Sequence, residues 1–392
     1  KVFLKTFGCQ MNVRDSEFVT GILLESGFRK ADSEDSADVI IFNSCSVRKH
    51  AEDRLFSNIS ELKHLKGERP GLIIGLMGCT AQAYREKAIG KAPIIDFVCG
   101  PGNIHEMPRI IRKVARSRRI IIATDKVDNP RPELFPKFRT EGAFASVSIS
   151  EGCDNYCSYC IVPYVRGRER SRDARDIIKE VKDLASRGFR EIMLLGQNVN
   201  SYRGLAYSVE RIAYREKPKT KRYPLSAKNY NFIQLLKLLN SVKGIKRLLF
   251  MTSHPKDASK ELFEAMRDLK KVDKRLHLPA QSGSDRILEL MNRGYTKGHY
   301  LKLVKMYRKL VPKGEITTDI IVGFPGETEK DFMDTVKLVK GIKFNGAYVF
   351  KYSPRLPAES CKFKDDVPAE EKQRRLVKIL DIQRAMSQKI RR

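Results

Sequence analysis

Three cysteines stand close together in the sequence, Cys153, Cys157 and Cys160, in the run C-D-N-Y-C-S-Y-C. Tight clustering of this kind outside a disulfide framework points to metal. A tetrahedral zinc site wants a fourth Cys or His nearby, and the nearest histidines, His105 and His254, are distant in sequence. A thioredoxin-like reading of Cys157 and Cys160 leaves Cys153 without a role. Three thiolates on a four-iron cluster leave one iron open to a substrate or cofactor, and the spacing favours this reading. Three further cysteines, Cys9, Cys45 and Cys79, each follow an apolar stretch: VFLKTFG, VIIFNS and LIIGLMG. If those stretches are strands of one parallel sheet, the thiols meet at its C-terminal edge, where loops build sites. The alternative is three ordinary buried cysteines, and spacing alone slightly prefers it. Cys99 and Cys361 have no companions and read as structural, as does the lone His254 before Pro255.

The elements that must position these residues follow an α/β rhythm. Up to Thr124, apolar runs at 1–6, 38–43, 72–77, 95–98 and 120–123 predict strands. Helical spacing runs from Asp15 to Ser26 and is stopped by Gly27. Such alternation implies an open α/β domain over 1–125. A segment with three prolines, DNPRPELFPKFRTEG (128–142), reads as the linker, spanning about 126–142. Strand signals then recur at 144–149, 190–195, 247–251, 275–278, 317–322 and 346–350, with helical stretches such as Asp173–Arg187 and Ala258–Leu269 between them. Six such units over 143–370 predict a partial parallel barrel with its chemistry at the C-terminal strand ends. The clustered cysteines fall directly after its first strand. The last residues, 371–392, read as a basic helical tail.

Composition narrows the partners. The 392 residues carry 76 Lys and Arg against 47 Asp and Glu, a net charge of +29. A polyanion such as nucleic acid suits that excess, because each phosphate neutralised releases counterions. A well-solvated lysine surface is the plainer account. The segment 203–228 concentrates the question: eight Lys and Arg, two Glu, two Pro and three Tyr without a clear period. It reads first as a solvated insertion, and second as an RNA-contacting loop with bases stacked on its tyrosines. No run approaches the ~18 apolar residues of a membrane span, and KVFLKTFGC lacks the features of a signal peptide. A soluble, cytoplasmic protein is expected.

Beyond these readings, C-D-N-Y-C-S-Y-C resembles the radical S-adenosylmethionine motif, including the aromatic Tyr159 before its last cysteine. The longer run CDNYCSYCIVPYVRGRERSR is similar to the methylthiotransferases among those enzymes. So, in order along the chain, are TFGCQMN, FNSCSVR, GLMGCTAQ, LLGQNVNSY, MTSHP, LPAQSGSD and DIIVGFPGET. Thr6-Phe7-Gly8-Cys9-Gln10-Met11-Asn12 resembles the MiaB-type subgroup, which acts on isopentenylated adenosine in tRNA. Other subgroups act on threonylcarbamoyladenosine or on a ribosomal protein aspartate.

The resemblance implies a flavodoxin-like N-terminal domain and a (β/α)6 radical core. A C-terminal TRAM barrel, usual in the family, would begin beyond the last residue of this sequence. It also implies methylthiolation at C2 of adenosine 37, two S-adenosylmethionine molecules and two 4Fe–4S clusters. One cluster would be held by Cys153, Cys157 and Cys160, and an auxiliary one by Cys9, Cys45 and Cys79. Tyr159, Gly196, Gln197, Asn198, Ser253, Gln281, Ser282, Val322 and Gly323 would line the S-adenosylmethionine site. The implied partners are a tRNA anticodon stem-loop and an electron donor such as flavodoxin or ferredoxin, and a monomer is expected. A nonenzymatic iron–sulfur RNA-binding protein would explain the charge and the cysteines, but not the polar motifs at the strand ends.

Overall fold

A computed structural model describes residues 1–46, 49–125, 136–140, 142–207 and 227–390. Most of the proline-bearing linker and of the basic segment 203–228 lies outside the described residues. The first half runs β1 (Val2–Phe7), α1 (Gln10–Glu25), β2 (Val39–Ser44), α2 (Lys49–Glu61), α3 (Lys63–Glu68) and β3 (Ile73–Met77). It continues through α4 (Cys79–Tyr84), α5 (Lys87–Lys91), β4 (Phe97–Cys99), α6 (Met107–Ser117) and β5 (Ile121–Ala123). The five strands pair in parallel in that order. A single parallel bridge from Val2 to Lys30 extends the sheet beyond β1. The chain therefore starts inside the sheet, visits one edge and returns to build the other, as flavodoxin-like winding requires.

Strand residues alternate between two faces. Ile40, Phe42, Ile74 and Leu76 bury under α2–α5, while Val39, Ile41, Ile73 and Met77 bury under α1 and α6. Covering both faces is why these strands read as continuous apolar runs. Helix α1 starts five residues earlier than its apolar spacing predicts. Extended Cys9 caps it, and the Cys9 carbonyl accepts from the Asn12 and Val13 amides.

The second half begins with β6 (Phe144–Ser148), β7 (Ser150–Glu151), α7 (Val162–Arg166), β8 (Arg170–Ser171), α8 (Ala174–Ser186) and β9 (Glu191–Leu195). It goes on through β10 (Arg203–Tyr207), β11 (Ala227–Asn231), α9 (Phe232–Asn240), β12 (Arg247–Phe250), α10 (Lys260–Asp268) and β13 (Arg275–His277). It closes with α11 (Asp285–Leu290), α12 (Lys297–Leu310), β14 (Glu315–Val322), α13 (Glu329–Ile342), β15 (Gly346–Lys351) and α14 (Ala369–Ile390). Parallel pairing joins β6 to β9 and β9 to β12, and β13 to β14 and β14 to β15. A Leu248–Val272 bridge joins the two sets. No pairing joins β6 to β15 among the described residues, so the barrel is partial and open. Antiparallel ribbons β7–β8 and β10–β11 sit at its margin.

Helix α14 is docked on the barrel rather than trailing from it. Ile379 belongs to the barrel core, Arg375 pairs with Glu327, and Gln383 donates to the Phe344 carbonyl at 2.9 Å. Its basic character misleads because long cationic side chains lay their stems on apolar surface. The two halves meet through buried charge. Arg139 donates to Glu17 of α1 at 2.8 Å and also to Glu180 of α8, while Arg355 donates to Glu52 of α2 at 2.8 Å.

Candidate active site

Cys9, Cys45 and Cys79 emerge from the C-terminal ends of β1, β2 and β3. The sheet's winding reverses between β1 and β2, and crevices at such reversals are where α/β sheets hold ligands. Local structure draws the three strand ends together. Asn12 Nδ2 donates to Asn43 Oδ1 at 2.9 Å, and Asn43 Nδ2 donates back to the Asn12 carbonyl at 2.8 Å, bracing the first turn of α1 against β2. Gly8, at φ +137°, leaves no room for a side chain: a Cβ there would lie 2.5 Å from the Cys45 Cβ. Gly78 is equally cramped against Asn43. Contact with Cys45 lowers the Cys9 thiol to about 6, and burial raises that of Cys79.

The second triad lies on the loop after β6 and β7. Gly152, at φ +77°, begins the loop where a Cβ would strike the Arg168 carbonyl at 2.1 Å. The loop is tied to the end of α11: the Ser158 amide donates to the Met291 carbonyl at 3.0 Å, and Asn292 Nδ2 to the Tyr156 carbonyl at 3.0 Å. Burial pushes the Cys153 thiol up to about 11 and the Cys160 thiol up to about 12, the neighbouring Cys157 adding to both. Such thiols keep their protons until metal displaces them. Among the described residues no three His, Cys, Asp or Glu side chains gather as a ligand set for one ion. A four-iron cluster takes each thiolate on a different iron, so a zinc-like cage is not the pattern to look for. Three cysteines on each edge, with no fourth ligand gathered beside them among the described residues, suit an open-iron cluster.

Each triad receives one N–H from a buried arginine that the sequence pattern did not single out. Arg293 Nη1 lies 3.3 Å from Cys157 Sγ and 3.2 Å from the Tyr159 hydroxyl, and Arg166 Nε lies 3.2 Å from Cys79 Sγ. Cys79 also packs on Ile161 and Val165, next to Cys160, so the triads belong to one contiguous region.

The barrel's C-terminal edge carries the polar groups expected for S-adenosylmethionine. Gln197 Oε1, Asn198 Oδ1, Ser253 Oγ and Gln281 Oε1 are buried without a hydrogen-bond partner, as are Ser150 Oγ and both side-chain polar atoms of Asn200. Orphaned buried acceptors and donors are costly and ask for a ligand or water. Gly196 packs under Ser150, where a Cβ would fall 2.4 Å from its Oγ. These residues fit a polar, elongated cofactor.

Three of the expected residues have partners within the protein. Gln281 adopts φ +63°, and the next side chain, Ser282, faces α13 with its hydroxyl 3.3 Å from Thr335 Oγ1. Val322 is wholly buried in the barrel core, while Ile321 and Tyr159 both pack against the cluster of Ile287, Met291, Phe324 and Tyr352. Gly323 donates its N–H to Glu327 Oε2 at 2.6 Å and is roofed by Lys372 of α14. His254 Nδ1 accepts from the Lys256 amide at 3.2 Å, and its Nε2 is buried without a hydrogen-bond partner.

Comparison with known proteins defines the class. Residues 147–339 match the Radical SAM superfamily, and residues 1–100 match the uncharacterized protein family UPF0004. Among solved structures, the radical S-adenosylmethionine methyltransferase TsrM from Kitasatospora setae shares the fold, with TM-score 0.59 at 14% identity over 89% of this chain and 72% of that one.

The chain belongs to the family whose curated members are named tRNA-2-methylthio-N(6)-dimethylallyladenosine synthase. It is 44% identical to the Syntrophomonas wolfei member over 97% of this chain and 81% of that protein. It is 45% identical to the Caldicellulosiruptor saccharolyticus member over 96% of this chain and 77% of that protein. It is thus a radical S-adenosylmethionine methylthiotransferase, a transferase.

Proposed function

We propose that this protein attaches a methylthio group to C2 of an isopentenylated adenosine, at position 37 of tRNA, using two S-adenosylmethionine molecules and two 4Fe–4S clusters. The observation that carries the reading is the pair of three-cysteine edges, one on each sheet, adjoining at Cys79 and α7. When bound, the clusters and S-adenosylmethionine supply the radical and the methylated sulfur that no side chain can provide.

The protein's own residues bind and orient. Cys153, Cys157 and Cys160 hold one cluster, and Arg293 fixes Cys157 from behind. Cys9, Cys45 and Cys79 hold the other. Gln197, Asn198, Ser253 and Gln281 use their unpaired atoms on the methionine and ribose parts of the cofactor. Gly196 lets the backbone approach it closely. Cys45, Cys79 and Cys157 are buried, so part of each triad is screened from water.

No helix among the described residues is long and apolar enough to cross a membrane. A cytoplasmic monomer that draws electrons from flavodoxin or ferredoxin fits this reading. Mass spectrometry of tRNA nucleosides from cells with and without the gene tests it. The methylthio derivative of isopentenyladenosine should vanish on deletion and return with the gene; its persistence would overturn the assignment.

A further inference from the structure

Helix α7 follows Cys160 directly and ends in Arg166, whose side chain is 3% exposed. Its guanidinium reaches out of the barrel half into the N-terminal half. Nη2 donates to Asp15 Oδ2 at 2.7 Å, where the Asp15 side chain is fully buried, and Nε donates to Cys79 Sγ at 3.2 Å. Nη1 is buried with no hydrogen-bond partner, 4.0 Å from Glu151. One planar fork therefore grips a carboxylate of α1 and a sulfur at the end of β3, from the same segment that carries the other triad.

We propose that Arg166 is the positioning residue that locks the Cys9–Cys45–Cys79 triad against the radical-generating half and tunes the cluster held there. The proposal rests on reading that triad as cluster ligands. A guanidinium holds two partners at fixed geometry where an ammonium cannot. An N–H and a positive charge at a cluster sulfur favour the reduced cluster, because reduction adds negative charge.

The test uses the chain with Cys153, Cys157 and Cys160 all replaced by Ala, reconstituted anaerobically with iron and sulfide, with Arg166 intact or as Arg166→Gln or Arg166→Lys. Iron content and the cluster midpoint potential are read by chemical assay and by an electron paramagnetic resonance titration. About four irons per chain are expected in each protein. The midpoint should move to more negative potential in Arg166→Gln, with Arg166→Lys between. With all cysteines restored, Arg166→Gln should keep forming deoxyadenosine while methylthio product falls roughly 10- to 100-fold. An unmoved midpoint with unchanged product overturns the proposal. Absence of iron from the Arg166-intact parent instead defeats the cluster reading itself. Should the Gln variant not fold, Arg166→Lys decides alone, and a parental midpoint and yield in that protein overturn the proposal.

Discussion

At the residue scale, the two triads should fail differently. Cys157→Ala removes a ligand from the triad next to the S-adenosylmethionine groups, so deoxyadenosine formation and methylthiolation should both fall to background. Cys9→Ala leaves that triad whole, so deoxyadenosine should still accumulate while methylthio product disappears. High-performance chromatography of one reaction reads both. Iron should fall from about eight to about four per chain in either variant. Cys99→Ala and Cys361→Ala should leave iron unchanged, since Cys99 is packed under α1 and α6 and Cys361 sits in a turn after β15. A Cys9 variant with full iron and full product would undo the auxiliary assignment. Cys153, Cys157 and Cys160 were legible because their spacing is local, whereas for Cys9, Cys45 and Cys79 spacing alone slightly prefers ordinary buried cysteines, and only the parallel strand order brings their positions to one edge. Arg166 and Arg293 were not legible, because their sulfur partners lie 87 and 136 residues away and only tertiary packing joins them.

At the element scale, the chain after β1 and the chain after β2 approach closely at Gly8. Gly8→Ala should cost about 1–3 kcal/mol, from positive φ and from overlap with Cys45. It should also weaken iron at the auxiliary triad while leaving deoxyadenosine formation in place, which denaturant unfolding and iron analysis together would show. A second element-scale effect concerns β12 and the turn after it. Burial pushes His254 down to about 2, while in the unfolded chain it titrates near 6.5. The folded state refuses a proton that the unfolded state accepts, so this contribution to stability is full above about pH 6.5 and is lost as pH falls below it. His254→Asn can still accept from the Lys256 amide, and its thermal midpoint should drop less between pH 7.5 and 5.5 than the parent's. Equal drops would show that His254 does not govern that slope. All eleven principal strands were legible from apolar runs. The β7–β8 ribbon was not, since two-residue strands leave no period to detect, nor was the β10–β11 ribbon, whose segment reads as an insertion without a clear period, and α14 passed for a tail because its charges hid the stripe around Ile379.

At the scale of the whole molecule, charge is divided by location. The contacts between the halves use balanced buried pairs, Arg139 with Glu17 and Glu180, Arg166 with Asp15, and Arg355 with Glu52. The excess of +29 is therefore left largely to the surface, where a polyanion can reach it. Binding to an anticodon stem-loop should fall steeply with salt, by about 10³ between 50 and 200 mM if six or more phosphates are engaged. The segment 208–226 tests where that charge acts. The strands β10 and β11 pair antiparallel out to Tyr207 and Ala227, on either side of it in sequence. Replacing it by an Asn-Gly turn should leave the ribbon closed. If its lysines, arginines and tyrosines meet RNA, the shortened protein should bind more weakly and with a shallower salt slope, because fewer counterions are released per complex. Fluorescence anisotropy at several salt concentrations measures both quantities. Identical affinity and slope in the two proteins would return the segment to a solvated connection and place the phosphate contacts elsewhere on the basic surface.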